Sequence, residues 1–261
     1  MRLGNTFARR RRLGPLSALA LIGISIAVIA CGQSSNQCAL APNCPTPSVT
    51  TMVTSSPTRP SPVPPNWRLA LSDPLTDRNS AHEWDIGADG LGTDRELTEK
   101  GYRLTAPANG NIEGLANNPQ DTFTDFIYQV TVSIQSGTTG DGGGAGLIFR
   151  SDEDGNDYSF TMDVNGGWSL ERYQNSDPPL STVLKDGSEA DPIFRTGFGQ
   201  TNIIMVAVVG NTITPYINNH ALASASDNLI RRGLVGVAVN GSTAPAAAVF
   251  SDARVWIPPT G

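Results

Sequence analysis

Apolar and polar residues alternate with a period of two through Phe126, Tyr128, Val130, Val132 and Ile134, with Gln129, Thr131 and Ser133 between them. Successive side chains of an extended chain point to opposite faces, so this spacing describes a half-buried strand and not an amphipathic helix. Tyr158, Phe160, Met162 and Val164 repeat the pattern against Ser159, Thr161 and Asp163. Asn165-Gly166 then supplies residues tolerant of positive φ for a tight turn into Trp168, Leu170 and Arg172, which predicts a hairpin. The run Asn202 to Val209 is apolar nearly throughout, as a central strand covered on both faces is. Gly210-Asn211 and Asn218-Asn219 mark two further turns, hence a meander over 202–209, 212–217 and 220–225. Pro215 has no N–H for a ladder bond and places its strand at an edge or a bulge. Leu234 to Val239 and Ala246 to Trp256 supply the last two strands, the second returning beside an N-terminal strand near Leu69. Only Asp94 to Lys100 reads as locally helical. Roughly ten to twelve strands, with turns every 8–12 residues or so, predict an all-β fold, an antiparallel β-sandwich or jelly roll.

The chain ahead of this pattern is of another kind. Arg9 to Arg12 form a positive cluster and Leu13 to Ala30 a largely apolar run, which stops at Val28-Ile29-Ala30-Cys31-Gly32. An apolar residue three before a cysteine, with a small residue just before it, resembles the bacterial lipoprotein signal. That resemblance implies a signal peptide over residues 1–30 and a diacylglycerol on Cys31, which becomes the new N-terminus. A plain secretory signal has small residues at both −3 and −1. The alternative is an uncleaved anchor, since eighteen largely apolar residues sit at the short edge of what spans a bilayer. In both cases the arginines stay inside and the remainder is extracytoplasmic, held at the cell membrane or cell surface. Glycine follows Cys31 where an aspartate would mark inner-membrane retention, and inner against outer membrane stays open.

Residues 31–66 read as a tether. From Gly32 to Asn66, 19 of 35 residues are Ser, Thr or Pro and Arg59 is the only charge, so the stretch has too little apolar surface to offset its ordering entropy. Cys38 and Cys44, with five residues between them, can close a small disulfide loop outside the cell. No cysteine follows residue 44, so the domain expected over 67–257 has neither a disulfide nor thiol chemistry, and 258–261 form a tail. Removal of the leader with its five arginines leaves 13 basic and 24 acidic residues, net −11. Nucleic-acid binding needs clustered Lys and Arg, and this balance excludes it.

The order "LSDPLTDRNSAHEWD", "GYRL", "FTDFIYQVTVSI", "GAGLIFRSDEDGNDYSFTMDVNGGWSL", "GQTNIIMVAVVGNTITPYINNHAL", "RRGLVGVAV" and "VFSDARVWIP" resembles the concanavalin A-like lectin/glucanase sandwiches of bacterial surface proteins. Laminin G-like modules and the 3-keto-disaccharide hydrolase type are among them. The resemblance covers nearly all of 67–257 and is specific for the fold but not for the ligand, although the concave sheet of this fold commonly holds sugar chains. One departure is Asn218-Asn219, where the family usually has Asn-Gly. A second is chemical: the glucan-cleaving members carry Glu-x-Asp-x-x-Glu or Glu-x-Asp-x-Glu on one strand, and no such spacing occurs here.

Site residues follow from chemistry. Arg150, Trp168 and Arg172 could form an aromatic platform with planar hydrogen-bond forks, the apparatus of a sugar site. The preferred reading instead sets Trp168 in the core with Leu170 and leaves both arginines as strand-end charges. Asp152, Asp154, Asn156 and Asp157, in the loop 151–157, offer the oxygen ligands of a Ca2+ site, the one metal or cofactor the chain suggests. The competing reading is a polar hairpin turn with Gly155 at positive φ. Asp163 and Glu171 are the only acids on one predicted hairpin. Counting back from Asn165-Gly166 sets Asp163 opposite Trp168 and Glu171 near Phe160, too far apart for a glycosidase pair. His82 and His220 read as surface or turn residues.

Three function classes remain: a non-catalytic recognition module for glycan or an envelope protein partner, a glycoside hydrolase of the 3-keto-disaccharide type, and a structural spacer. The missing acid motif favours the first over the second.

Overall fold

The computed structural model describes residues 62–259, except 79, 140–142 and 191. The expected signal segment, Cys31, the Cys38–Cys44 loop and most of the tether lie outside the described residues. Among those described, no helix is long and apolar enough to cross a membrane.

The order of elements is β1 (Arg68–Asp73), β2 (Gly87–Ala88), β3 (Asp94–Thr98), β4 (Gly101–Ala106), β5 (Asn111–Leu115) and β6 (Phe126–Ser136). Next come β7 (Gly144–Ser151), β8 (Asp157–Met162), β9 (Gly167–Gln174) and β10 (Leu180–Ser188). The chain closes with β11 (Thr201–Val209), β12 (Thr212–Ile217), β13 (His220–Ala221), β14 (Ala225–Ser226), β15 (Leu234–Asn240) and β16 (Ala246–Ile257). All pair antiparallel, in two sheets. The larger runs β13-β12-β11-β6-β16-β4-β3-β2, with β1 also on β16 and β14 also on β12. The smaller runs β10-β9-β8-β7-β15-β5.

The inner faces make one core. Tyr128, Val130, Val132, Ile204, Val206 and Phe250 from the larger sheet meet Leu147, Phe149, Phe160, Leu170 and Val237 from the smaller. Tyr128, Val130, Val132, Phe160 and Leu170 are among the residues that the period-two pattern places on one face. The Tyr128 hydroxyl donates to the Gly236 carbonyl across the gap at 3.1 Å. Burial pushes its pKa well above the ordinary tyrosine value.

Most turns follow their local chemistry. Asn218 and Asn219 both take positive φ, at 48° and 63°, the geometry of a two-residue hairpin turn. Pro215 pairs with Val206 on one side. Its carbonyl, and so its missing N–H, faces the gap on β12 between the short strands β13 and β14, where no ladder bond is lost. The third segment of the expected meander is split into those two strands.

Two expectations are corrected. Asp94 to Lys100 is not helical: β3 pairs with β4 from Asp94 opposite Thr105 to Thr98 opposite Gly101. Seven residues gain too little from helix propensity to offset nucleation, and a hairpin ladder supplies the hydrogen bonds instead. The hairpin after β8 is also one residue out of the expected register. Met162, not Asp163, faces Trp168, and Glu171 faces Ser159. The loop is three residues, Val164 to Gly166, with Gly166 at φ 94° and the Asp163 carboxylate accepting the Asn165 and Gly167 N–H groups at 2.7 and 3.0 Å. An aspartate that can stand in for a backbone acceptor converts a two-residue turn into a three-residue one.

Candidate functional site

Arg150, Trp168 and Arg172 do not form a surface platform. Arg150 is 1% exposed. Its Nε and Nη2 donate to the Thr124 carbonyl at 3.1 and 2.6 Å, Nη1 to Ile230 O and Nη2 to Gly210 O, each at 3.1 Å. Burial lowers its pKa from the usual arginine value. The guanidinium therefore ties three loops together at one end of the sandwich. Trp168, 7% exposed, points inward with its ring edge-on to Phe160 at 6.3 Å. Gly187 lies over it, where a Cβ would stand 2.7 Å from the indole. Arg172 also faces inward and donates to Asp227. Tyr158 donates to the same carboxylate at 2.5 Å. Burial, then the bond to Asp227, pushes the Tyr158 hydroxyl up to about 12. Burial alone would raise Asp227, but the Tyr158 hydroxyl, the Leu229 N–H and Arg172 together hold it below the usual carboxylate value.

The loop 151–157 forms a turn. Gly155 has φ 80°, and the Asp152 carboxylate accepts both the N–H and the side-chain amide of Asn156. Asn175 closes it from outside by donating to Asp154 O and Asn156 Oδ1. Asp157 is buried opposite Tyr173 on β8. Among the described residues, no three His, Cys, Asp or Glu side chains converge as a metal-binding group.

The two hairpin acids are apart. Glu171 accepts the hydroxyls of Ser169 and Ser181. Its cross-strand partner Ser159 stands four residues from Asp163, about 13 Å along the strand. Paired glycosidase carboxyls stand about 5–9.5 Å apart. His82 holds Asp121 through Nδ1 at 2.7 Å and joins two loops, while His220 lies in β13.

Two cavities among the described residues lie elsewhere, on the outward face of the larger sheet. There the ladders align Arg254 of β16, Gln129 of β6, Met205 of β11 and Tyr216 of β12 in one row. Ser251, Thr131 and Ile203 form the next, and Arg103, Val249, Ser133 and Thr201 the one after. A cavity of about 410 Å³ is floored by Gln129, Ile203, Arg254 and Trp256 and walled by Trp67, Asn219 and the Val63-Pro64-Pro65 segment. A second, of about 200 Å³, follows along β6, where Thr131, Ser133 and Gln135 meet Thr201, Ser251 and Lys100. Two tryptophans, an amide and a guanidinium thus share one hollow, of the size that ligand pockets have. Arg254 is held by Asp252 at 2.8 Å.

A bulge in β16 makes this face. The ladder to β6 slips between Ser251 and Arg254, with Asp252 at φ 57°. Before it Val249 and Ser251 point outward; after it Arg254 and Trp256 do. Unbroken alternation from buried Phe250 would have turned Asp252, Arg254 and Trp256 into the core. Two charges in inward slots are the signal that could have located the bulge, and with it Trp256.

No family model and no curated protein matches the sequence. Among solved structures, the chain is similar to the carbohydrate-binding module CBM66 from Bacillus subtilis, at 19% identity over 65% of this chain and 92% of that one, TM-score 0.52. It is similar to a Bacillus subtilis protein of unknown function with a galectin-like fold, at 13% identity over 74% and 100% of the two chains, TM-score 0.54. It is also similar to the catalytic domain of an endo-1,3-β-glucanase (laminarinase) from Thermotoga petrophila RKU-1, at 8% identity over 74% and 99%, TM-score 0.52. At these identities the likeness is one of fold: a jelly-roll sandwich shared by binding modules and glucanases.

Proposed function

We propose that the chain is an extracytoplasmic recognition module, lipid-anchored through Cys31 to a bacterial cell membrane or surface, that binds an extended carbohydrate without cleaving it. The observation that carries the reading is the larger cavity. A tryptophan face covers the C–H face of a sugar ring, while planar amide and guanidinium groups fork to its hydroxyls, and Trp67, Trp256, Gln129 and Arg254 supply both kinds of contact in one place. The fold supports it, since a carbohydrate-binding module shares it. The separation of Asp163 from Glu171 favours binding over hydrolysis. Anchoring rests on the sequence around Cys31 alone.

A shallow groove of this kind binds weakly, with Kd near micromolar to millimolar, or about −8 to −4 kcal/mol. Many copies on one membrane raise the apparent strength without new contacts. The test is a glycan array probed with the full chain, followed by product analysis of each hit. Trp256→Ala should weaken any hit about tenfold or more. Steady release of reducing sugar would overturn the non-catalytic reading, and a hit indifferent to both Trp67→Ala and Trp256→Ala would remove the site from this face.

A further inference from the structure

The two cavities share a chemical bias that a neutral sugar does not require. Neither lining contains a carboxylate, although the chain after the leader carries 24 acidic residues against 13 basic ones. The larger has Arg254, already engaged by Asp252. The smaller is lined by Lys100 together with the hydroxyl residues Thr131, Ser133, Thr201 and Ser251 and with Gln135, whose amide donates to Ser133. Lys100 sits in the tight connection between β3 and β4. Glu99 precedes it in the same exposed turn, and Glu96, farther along the ladder, is taken by Arg103 at 3.0 Å. Among the described residues, the Lys100 ammonium pairs with no carboxylate.

Resting on the glycan reading of this face, we infer that the polymer it recognises carries a sparse anionic substituent, a carboxylate or a phosphate, which Lys100 reads. A cation surrounded by neutral hydroxyl and amide donors is the apparatus for one anionic group with its remaining lone pairs satisfied. Gln129, in the larger cavity, and Ser133, in the smaller, are four residues apart on β6, about 13 Å. The neutral ring on the tryptophans and the charged group on Lys100 are therefore separate units of one chain. Sparseness follows from the rest of the molecule: an acidic body repels a densely charged polymer, so only isolated charges that land on the cation gain from it.

The experiment uses the full chain and an array of matched glycans, each present in neutral form, with some primary hydroxyls oxidised to carboxylate, and with equivalent phosphorylation. Solution titration of the hits gives the affinities. An anionic member should bind about tenfold or more tightly than its neutral partner. Lys100→Gln should pull that ratio toward one, and Lys100→Arg should keep it. Preference for the oxidised or the phosphorylated series identifies the source of the charge. Equal affinity across a matched set, unchanged in Lys100→Gln, overturns the inference while leaving the tryptophan site standing. No retention of any member, with Trp256→Ala without effect, overturns both.

Discussion

Arg172 and Asp227, fifty-five residues apart in the chain, meet at the inner face of the smaller sheet, with the Tyr158 hydroxyl on the other oxygen of the same carboxylate. Ile230 N–H in turn donates to Tyr158 at 3.3 Å. One carboxylate thus takes a guanidinium Nη1 and a phenol in a region that water reaches poorly. Removing it with Asp227→Ala takes the carboxylate from both and leaves the Tyr158 hydroxyl with the Ile230 N–H alone, at a cost of about 3 kcal/mol. In a domain of this size the melting temperature should fall by roughly 6–12 °C, measured by calorimetry.

The same cluster sets a pH dependence. Asp227 titrates below the usual carboxylate value when folded, so its contribution is present above the unfolded pKa near 4 and is lost as pH falls through the lower folded value. Tyr158 is raised to about 12, so its contribution is present below the unfolded value near 10 and disappears as pH rises toward 12. Urea midpoints should therefore hold between these limits and fall outside them. Asp227→Asn should flatten the acid limb, and an unaltered acid limb would show that other carboxylates govern it.

Arg150 gives a prediction that separates scaffold from site. Arg150→Met strips the donors from the Thr124, Gly210 and Ile230 carbonyls and should cost about 4 kcal/mol by denaturant titration. Arg150→Lys should recover little, because an ammonium lacks the planar fork that spans three acceptors. The folded fraction of either variant should retain glycan as the parent does; loss of binding without loss of stability would restore Arg150 to a ligand role.

At Gly166 the backbone leaves no room for a side chain. Its φ is 94°, and a Cβ would fall 1.7 Å from the Glu189 carbonyl oxygen. Gly166→Ala should destabilise by about 2–4 kcal/mol, whereas Gly199→Ala, also at positive φ but with open space around it, should cost about 1–2 kcal/mol. Equal effects would mean that the crowding relaxes freely.

The anchor is testable apart from the fold. In a bacterial host, a palmitate analogue should label the parent and not Cys31→Ala, and equal labelling of both would place the lipid elsewhere or nowhere.

Alternation made β6 and β8 legible in the sequence, and a continuous apolar run made β11 legible as a central strand. Asn218-Asn219 was legible because its backbone demand is local. Three features escaped for reasons that lie between residues. The β3–β4 ladder overrode a helical composition too short to stand alone. The Asp163 side chain moved a register that turn residues alone set one position away. Trp168 faces the core beside Leu170, the reading preferred for it, whereas Trp256, at a strand end, is turned outward by a bulge whose cause is cross-strand pairing. Arg150, read as a sugar-site fork or a strand-end charge, is buried instead, because its three acceptors come from segments far apart in the chain.

Val63, Pro64 and Pro65 wall the larger cavity, and the first ladder pair, Arg68 with Ile257, begins only a few residues beyond them. Tension entering the domain along the chain at residue 62 thus crosses the wall of the hollow before any sheet bears it. Because Arg68 faces Ile257 at the same end of the two strands, a pull that parts β1 from β16 at that end meets the pairs singly, as a zip is opened, and not all at once. A polymer seated between Trp67 and Trp256 would bridge the first teeth of that zip. Occupancy and mechanical resistance would then be coupled at one joint: a domain gripping its polymer would be hardest to peel open at the moment it is being pulled.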